Sequence, residues 1–219
     1  AQAEWRITDW QATPSGTQFS VDHKGSSWGA FRTALSGCYN LQNALAGLVA
    51  GATLGVAPET LGRALASARG AKRRMEVLFE AGNTVFVDDF AHHPTAVREA
   101  IGAAHMRWPG RRVVAVFEPR SNTTVTNRFQ GPLTEAFAEA DRVWIGPIYR
   151  ADRIPEADQL DRVALCETLE QAGVPAGYAD TIDALIEQLR ASVQDGDVVL
   201  VLSNGAFGGL HEQLRAVWG

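Results

Sequence analysis

The sequence contains little that would support a metal site or a disulfide framework. Two cysteines occur in 219 residues, Cys38 and Cys166, and they are too far apart for the CxxC spacing of a metal knuckle. Two isolated cysteines are typical of a reducing cytoplasm. Long apolar runs are also missing, since no stretch approaches the roughly twenty apolar residues of a membrane span. We therefore expect a soluble, cytoplasmic protein without a membrane partner.

Positive charge is scarce as well. The chain has 20 Lys and Arg against 25 Asp and Glu, a formal net charge of -5, and its densest basic run is KRR at residues 72–74. A surface that binds nucleic acid or anionic lipid needs a basic patch or stripe, so neither partner is expected. Local groups must therefore bind any anionic ligand.

The character of the sequence changes near residue 70. Before it, EWRITDW, TQFSVDH and SSWGAFRTA read as a small β meander, and two amphipathic helices follow, the second beginning at Pro58. A meander with two helices is too little for a whole domain. We predict that residues 1–70 are the end of a longer domain and that residues 71–219 form a separate one.

From Met75 onward, a hairpin-like pair is followed by apolar strands that alternate with amphipathic helices. Strands that are continuously apolar belong to parallel sheets covered by helices on both faces. The sequence therefore predicts a Rossmann-like α/β domain with a mainly parallel sheet, and 46% hydrophobic residues are enough for its core.

Polar residues collect where the predicted strands end. The segments DDFAHHP, EPRSNTT, GPIYRAD and SNGAFGG each follow an apolar strand, and ligands of open parallel sheets bind beyond the carboxyl ends of the strands. Each loop alone could be ordinary turn chemistry. Together they predict a binding site, with these residues on one edge: Asp89, His92, Arg120, Asn122, Ser203 and Asn204.

His92 and His93 raise the question of a zinc ion. Adjacent side chains diverge, and no further Cys or His stands at ligand spacing, so we expect no metal site. The helix predicted to begin at Pro94 would direct its first N–H groups at a phosphate or carboxylate, with His92 as a neighbouring donor. Asp89 suits a ribose hydroxyl, an amine or a metal-bound water. The alternatives are helix capping for Asp89 and a turn histidine for His93.

Five segments, in this order, resemble the Mur ligases, the ATP-dependent amide-forming enzymes of peptidoglycan synthesis: GCYNLQNALAGLVAGATLGV, ARGAKRRMEVL, VDDFAHHPTAV, VFEPRSNT and VLSNGAFGGLHEQL. The resemblance implies a three-domain enzyme. Residues 1–70 would end its central ATP-binding domain, and residues 71–219 would be its Rossmann-like C-terminal domain. The phosphate loop G-x-x-G-K-[ST] is absent from these 219 residues. We therefore expect a fragment that is inactive by itself.

Within the family, the loops resemble the branch that joins L-alanyl-γ-D-glutamyl-meso-diaminopimelate, a recycled murein tripeptide, to UDP-N-acetylmuramate. The implied reaction passes through an acyl phosphate and uses ATP and Mg²⁺, with most Mg²⁺ ligands outside these residues. Three alternatives stay open. They are the branch that adds L-alanine, a folyl-polyglutamate type of ligase, and a nucleotide- or peptide-binding module without catalytic activity.

The resemblance also implies roles for individual residues. Asn40 and Asn43 match asparagines that face the adenine, although Tyr39 replaces the usual preceding histidine. Arg74 and Asp89 would contact the nucleotide, while Arg73 and Lys72 would form a solvated basic turn. Asp89 and His92 are the catalytic candidates, His92 near the phosphates or the incoming amine. The candidates for the incoming substrate are Arg120, Ser121, Asn122, Ser203, Asn204 and His211.

Each of these residues could instead have a purely structural or surface role. Asn40 could cap a helix, and Asn43 could be a surface amide. Arg120 could be a surface arginine or a salt bridge that holds its loop, and His211 could be a surface imidazole on a helix.

Overall fold

The computed structural model describes residues 3–13 and 15–219. Contacts divide the chain into two units. The first is Ala1–Ala71 with Met106–Pro109, and the second is Lys72–His105 with Gly110–Gly219. The interpretation of the first unit as the end of a longer ATP-binding domain stays a prediction.

The first unit has an antiparallel sheet followed by two helices. Its strands are β1 (Trp5–Thr13), β2 (Gly16–His23) and β3 (Ser26–Thr33), in the order β1-β2-β3, and its helices are α1 (Cys38–Thr53) and α2 (Pro58–Ser67). Every third or fourth residue of α1 faces the same side. Leu41, Ala44 and Leu48 are accordingly buried with Phe19, Val21 and Phe31 of the sheet. The predicted meander and helices are confirmed.

The second unit alternates strands and helices. Its elements are β4 (Glu76–Ala81), β5 (Thr84–Asp89), α3 (Pro94–Arg107), β6 (Val113–Phe117), α4 (Gln130–Phe137), β7 (Arg142–Ile145), α5 (Arg162–Gln171), β8 (Ala176–Tyr178), α6 (Ile182–Ser192), β9 (Val198–Leu202) and α7 (Leu210–Trp218). The strand order is β4-β5-β9-β6-β7-β8, and only β4 runs antiparallel to its neighbour. The predicted α/β fold with a mainly parallel sheet is confirmed.

The centre of this sheet is covered on both faces. Every residue of β5, β6 and β9 is buried, which explains why their sequences do not alternate. Asp88 and Asp89, the last two residues of β5, are the charged side chains among these buried strand residues. None of the helices in the described ranges is long and apolar enough to cross a membrane.

The parallel strands end at one level. Leu202 of β9 lies between Asp89 of β5 and Phe117 of β6, and Phe117 lies beside Ile145 of β7. The following residues extend this ladder, because Ser203 N donates to Asp89 O at 3.1 Å and Gly146 N donates to Phe117 O at 2.8 Å. Four loops therefore leave the sheet along one edge, which we call the carboxyl rim: residues 90–93, 118–126, 146–150 and 203–206.

One close contact fixes two loops of the carboxyl rim. Phe207, which follows β9, is fully buried, and its ring packs on Gly146 at the end of β7. A Cβ atom at residue 146 would lie 2.5 Å from Phe207 Cε2. Buried aromatic rings cannot yield at such a distance without repacking their neighbours. Only glycine fits residue 146 in this arrangement.

We predict that Gly146→Ala lowers the free energy of unfolding by about 1–3 kcal/mol, the usual range for overpacking. Adding Phe207→Leu should recover part of that loss, since a smaller side chain relieves the collision. Gly102→Ala in α3 is the matched control. A Cβ atom there meets nothing within 4 Å, so it should be neutral or stabilising by about 0.5–1 kcal/mol. Urea unfolding measures all four proteins, and equal stability of Gly146→Ala and the wild type would contradict the packing.

Candidate functional site

The hairpin of β4 and β5 brings the basic turn against the two acids. Glu76 pairs with Asp88 in the register, so residues 72–74 lie beside the end of β5. Arg73 Nε donates to Asp88 Oδ2 at 2.8 Å, and Arg73 Nη2 donates to the carbonyl oxygen of Ser203 at 2.7 Å. The expectation that Arg73 belongs to a solvated turn is wrong, because this side chain joins β5 to the loop after β9.

Asp88 is the centre of a three-residue contact. Its carboxylate is buried, and Oδ1 lies 3.4 Å from Nε2 of His211 in the first turn of α7. Burial alone would raise the pKa of Asp88, but hydrogen bonds and charge from His211 and Arg73 outweigh it and hold the pKa below its usual value. Asp88 is therefore ionised at neutral pH. His211 faces this carboxylate, and the alternative of an ordinary surface imidazole is wrong.

Asp89 points to the opposite face of the strand and has other partners. Its Oδ2 accepts from Met75 N at 2.9 Å, and its Oδ1 accepts from Ala91 N at 2.8 Å and from Arg74 Nη1 at 3.5 Å. Burial raises its pKa, and the Ala91 and Met75 bonds offset part of that rise. A ligand contact or proton transfer by Asp89, which is 1% exposed, would have to break these bonds. The geometry instead assigns Asp89 to holding Arg74, whose side chain is 44% exposed.

The two histidines have separate partners. His92 Nδ1 lies 2.9 Å from the carbonyl oxygen of Phe90. A carbonyl only accepts, so the proton is on Nδ1 and a neutral His92 keeps Nε2 as an acceptor. His93 is exposed, and its ring edge packs on Phe129. Within residues 3–13 and 15–219, no group of three or more His, Cys, Asp or Glu could hold a metal ion.

Glu118 and Ser203 tie the loops after β6 and β9 together. Ser203 is fully buried, its hydroxyl donates a short hydrogen bond to Glu118 Oε2, and it accepts from Gly205 N at 2.9 Å. The predicted substrate contact by Ser203 does not fit this geometry, because the hydroxyl is enclosed within the loops. Sequence reasoning missed Glu118, although it stands in the quoted segment VFEPRSNT.

Arg120 combines a salt bridge with exposure. Its Nη1 donates to Glu118 Oε1 at 3.3 Å, and its guanidinium carbon lies 3.7 Å from the centre of the Tyr149 ring. The loop salt bridge offered as an alternative is therefore present. The side chain is still 25% exposed, so the guanidinium also remains accessible to a ligand.

The remaining candidates on the carboxyl rim differ in their surroundings. Ser121 Oγ lies 2.7 Å from Thr124 Oγ1 and accepts from Thr124 N, so this hydroxyl shapes the turn. Asn122 is exposed. Asn204 is half-buried, and its Oδ1 is enclosed without a hydrogen-bond partner among the described residues. The two amides are the better candidates for ligand contact.

In the first unit, Asn40 and Asn43 lie one turn apart on α1. Asn40 is half-buried and its Nδ2 donates to the carbonyl oxygen of Ser36 at 2.7 Å, while Asn43 is exposed. The residue at the N-cap is Gly37, and no side chain caps the helix there. The alternative that Asn40 caps the helix is therefore wrong. The bond to Ser36 uses Nδ2 of Asn40 and leaves its Oδ1 out.

We predict that Asp88→Asn lowers stability by about 1–3 kcal/mol at neutral pH, because it leaves Arg73 without its charged partner. A depressed pKa contributes stability above the unfolded-state pKa, and this contribution is lost as the pH falls through the folded-state pKa. The difference from the wild type should therefore shrink below the ordinary pKa of 3.8. Asp180→Asn is the matched control, since Asp180 pairs with Arg162 at 2.6 Å but is 76% exposed, and it should cost about 0–1 kcal/mol. Urea unfolding from pH 7 to pH 3 measures this, and a pH-independent difference for Asp88→Asn would contradict it.

Comparisons with known proteins identify the family of this chain. Residues 73–205 match the family described as Mur ligase, glutamate ligase domain. Over 209 residues, the chain is 34% identical to the UDP-N-acetylmuramate--L-alanyl-gamma-D-glutamyl-meso-2,6-diaminoheptandioate ligase of Escherichia coli, covering 94% of this chain and 44% of the relative. Over 215 residues it is 37% identical to the UDP-N-acetylmuramate--L-alanine ligase of Chloroflexus aggregans, covering 94% and 44%.

A solved structure extends the likeness in fold to both units. The UDP-N-acetylmuramate-alanine ligase of Thermotoga maritima superposes with a TM-score of 0.81 at 20% identity, over 99% of this chain and 46% of that one. The chain thus spans less than half the length of these three relatives. By the match over residues 73–205, the chain belongs to the Mur ligase family and contains its C-terminal, glutamate ligase domain.

Proposed function

We propose that this chain is the C-terminal part of an ATP-dependent ligase that joins L-alanyl-γ-D-glutamyl-meso-diaminopimelate to the carboxyl group of UDP-N-acetylmuramate. The family supports an amide-forming ligase, and the Escherichia coli relative is named for this pair of substrates. Relatives named for L-alanine reach similar identity, so transfer of L-alanine is the second candidate. In this proposal the second unit binds the incoming amino compound.

The observation that carries the proposal is the composition of the carboxyl rim. Its carboxylate, Glu118, and the adjacent Asp88 and Asp89 at the end of β5 are buried and already paired. Arg120 in the rim and Arg74 beside the end of β5 keep 25% and 44% of their side chains exposed. The rim therefore offers positive charge and amide groups to a ligand, and these groups bind carboxylates and phosphates. The tripeptide presents several carboxylates, and a partly exposed guanidinium can bind one of them through two parallel hydrogen bonds.

Each unit, taken separately, contains residues whose groups suit ATP. Asn43 is exposed on α1, and Asn40 retains its amide oxygen and one N–H for the edge of a purine. In the second unit, Arg74 keeps 44% of its side chain exposed, and a guanidinium can donate to a ribose or phosphate oxygen. ATP, when bound, supplies the phosphoryl group that activates the muramic carboxylate. Within the described ranges no group of three or more acidic, histidine or cysteine side chains could hold Mg²⁺, so its ligands would come from the remainder of the enzyme.

His92 is the candidate for handling the proton of the incoming amine. Its Nδ1–H is committed to the carbonyl of Phe90, so Nε2 is the atom that can accept a proton. The His92 ring is half-buried just before α3. It packs edge-on against the Phe90 ring, with the two ring centres 5.5 Å apart. This packing limits its orientation. His92 is thus proposed as a base that acts on the amine, while Asp89 positions Arg74.

We predict that the chain binds the tripeptide in titration calorimetry and that Arg120→Ala weakens binding about ten- to a hundredfold, the effect of losing a charged hydrogen bond. Arg120→Lys should recover only part of the affinity, since an ammonium cannot form the bidentate pair. Arg190→Ala is the matched control, because Arg190 forms an exposed ion pair with Glu187 on α6.

The same titration with L-alanine separates the two substrates. If the tripeptide binds saturably and L-alanine gives no heat of binding, the assignment as a tripeptide ligase is supported. Equal binding of both ligands, or a loss as large for Arg190→Ala as for Arg120→Ala, would refute the assignment.

A further inference from the structure

Besides its salt bridge with Glu118, the Arg120 side chain contacts Tyr149 and Gly205. Its guanidinium carbon is 3.7 Å from the centre of the Tyr149 ring, the shortest of the arginine–aromatic contacts in the described residues. Delocalised guanidinium groups stack on aromatic faces, and the contact gains strength where water is excluded. Tyr149 is half-buried, which restricts the motion of the ring on which the guanidinium stacks.

Gly205, from the loop after β9, forms a second contact with Arg120. A Cβ atom on residue 205 would lie 2.0 Å from Nε, 2.2 Å from Cζ and 2.3 Å from Cδ of Arg120. While the Arg120 side chain stays in place, these distances leave no room for a side chain at residue 205. Gly205 has no left-handed φ, so its backbone conformation is open to other residues and the guanidinium is what requires glycine.

The backbones that carry both contacts are held in place. Tyr149 N donates to Pro119 O at 2.9 Å, beside Arg120 itself. Gly205 N donates to the buried Ser203 hydroxyl at 2.9 Å, and that hydroxyl bonds to Glu118. A side chain added at residue 205 would therefore displace the flexible arginine, because the loop backbone is tied down.

We propose that Tyr149 and Gly205 are positioning residues that hold the Arg120 guanidinium in the orientation that receives a carboxylate of the incoming substrate. The inference rests on the proposed function for the ligand and on the contacts alone for the positioning. Glu118 bonds at Nη1 and leaves the other N–H groups of the fork for a ligand. Arg150, 5.0 Å from the same ring, adds positive charge beside it.

A double-mutant cycle tests the role of Gly205. Gly205→Ala should weaken tripeptide binding about tenfold or more and change the unfolding midpoint little, because only the Arg120 side chain moves. In the Arg120→Ala background the same change should have almost no further effect, since its target is gone. Additive losses would overturn the positioning role of Gly205.

Tyr149 is tested by a conservative series. Tyr149→Phe keeps the ring and should retain tripeptide affinity within about twofold, whereas Tyr149→Leu should lose about fivefold or more, as expected for removal of a desolvated cation–π contact. Tyr178→Leu is the matched control, because Tyr178 also lies beneath an arginine, Arg162, at 5.0 Å, but is not a contact of Arg120. Equal losses for the Phe and Leu variants would contradict a role for the ring.

A measurement without ligand separates this inference from the proposed function. In ¹⁵N–¹H spectra of arginine side chains, the Nε–H signal missing from Arg120→Ala belongs to Arg120. The Tyr149 ring current should shift it, so Tyr149→Leu and Gly205→Ala should move it and Tyr178→Leu should not. If these shifts occur but the wild type binds no tripeptide, the proposed function fails and the positioning stands. If Tyr149→Leu leaves the signal unmoved, the positioning fails whatever the chain binds.

Discussion

Three carboxylates buried where the central strands end determine the arrangement of the carboxyl rim. Asp88 and Asp89 close β5, Glu118 follows β6, and each is almost fully removed from water. A buried carboxylate costs several kcal/mol unless a charged or hydrogen-bonding partner compensates it. Each carboxylate has an arginine among its partners: Arg73 at 2.8 Å from Asp88, Arg74 at 3.5 Å from Asp89, and Arg120 at 3.3 Å from Glu118.

This pairing separates residues that hold the loops from residues available to a ligand. Arg73 reaches both Asp88 and the carbonyl of Ser203, so its Nε and Nη2 are engaged within the fold. Arg74 and Arg120 meet their carboxylates at longer distances, 3.5 and 3.3 Å against 2.8 Å for Arg73, so both are held less tightly within the fold. A buried anion that fixes a partly exposed cation is a preorganised receptor for an external anion, because little ordering is left for the binding step.

Periodicity and strand-end chemistry were enough to predict most of the fold. Continuous apolar runs identified the central strands, and the helix beginning at Pro94 was confirmed. The edge shared by four loops also follows from the parallel topology. The partners within that edge were harder to predict, because they depend on side-chain direction in three dimensions.

Two residues show why the site was only partly predicted. The sequence assigns Arg73 to a solvated turn, yet its side chain reaches back to Asp88, although the hairpin pairs Asp88 with Glu76, three residues further on. Ser203 stands at a strand end like a ligand donor, but its hydroxyl bonds to Glu118 in the loop after another strand. No local pattern reports such a contact between loops distant in sequence.

The measurement that tests the central claim most directly is a map of the incoming substrate on the chain. Titration of the ¹⁵N-labelled protein with L-alanyl-γ-D-glutamyl-meso-diaminopimelate should shift amide signals in the loops after β5, β6, β7 and β9. Amides near Asn83 and Asp195, which are hydrogen-bonded together at the opposite ends of β5 and β9, should not move. Shifts confined to that opposite edge or to the first unit, with the carboxyl rim unaffected, would contradict the account.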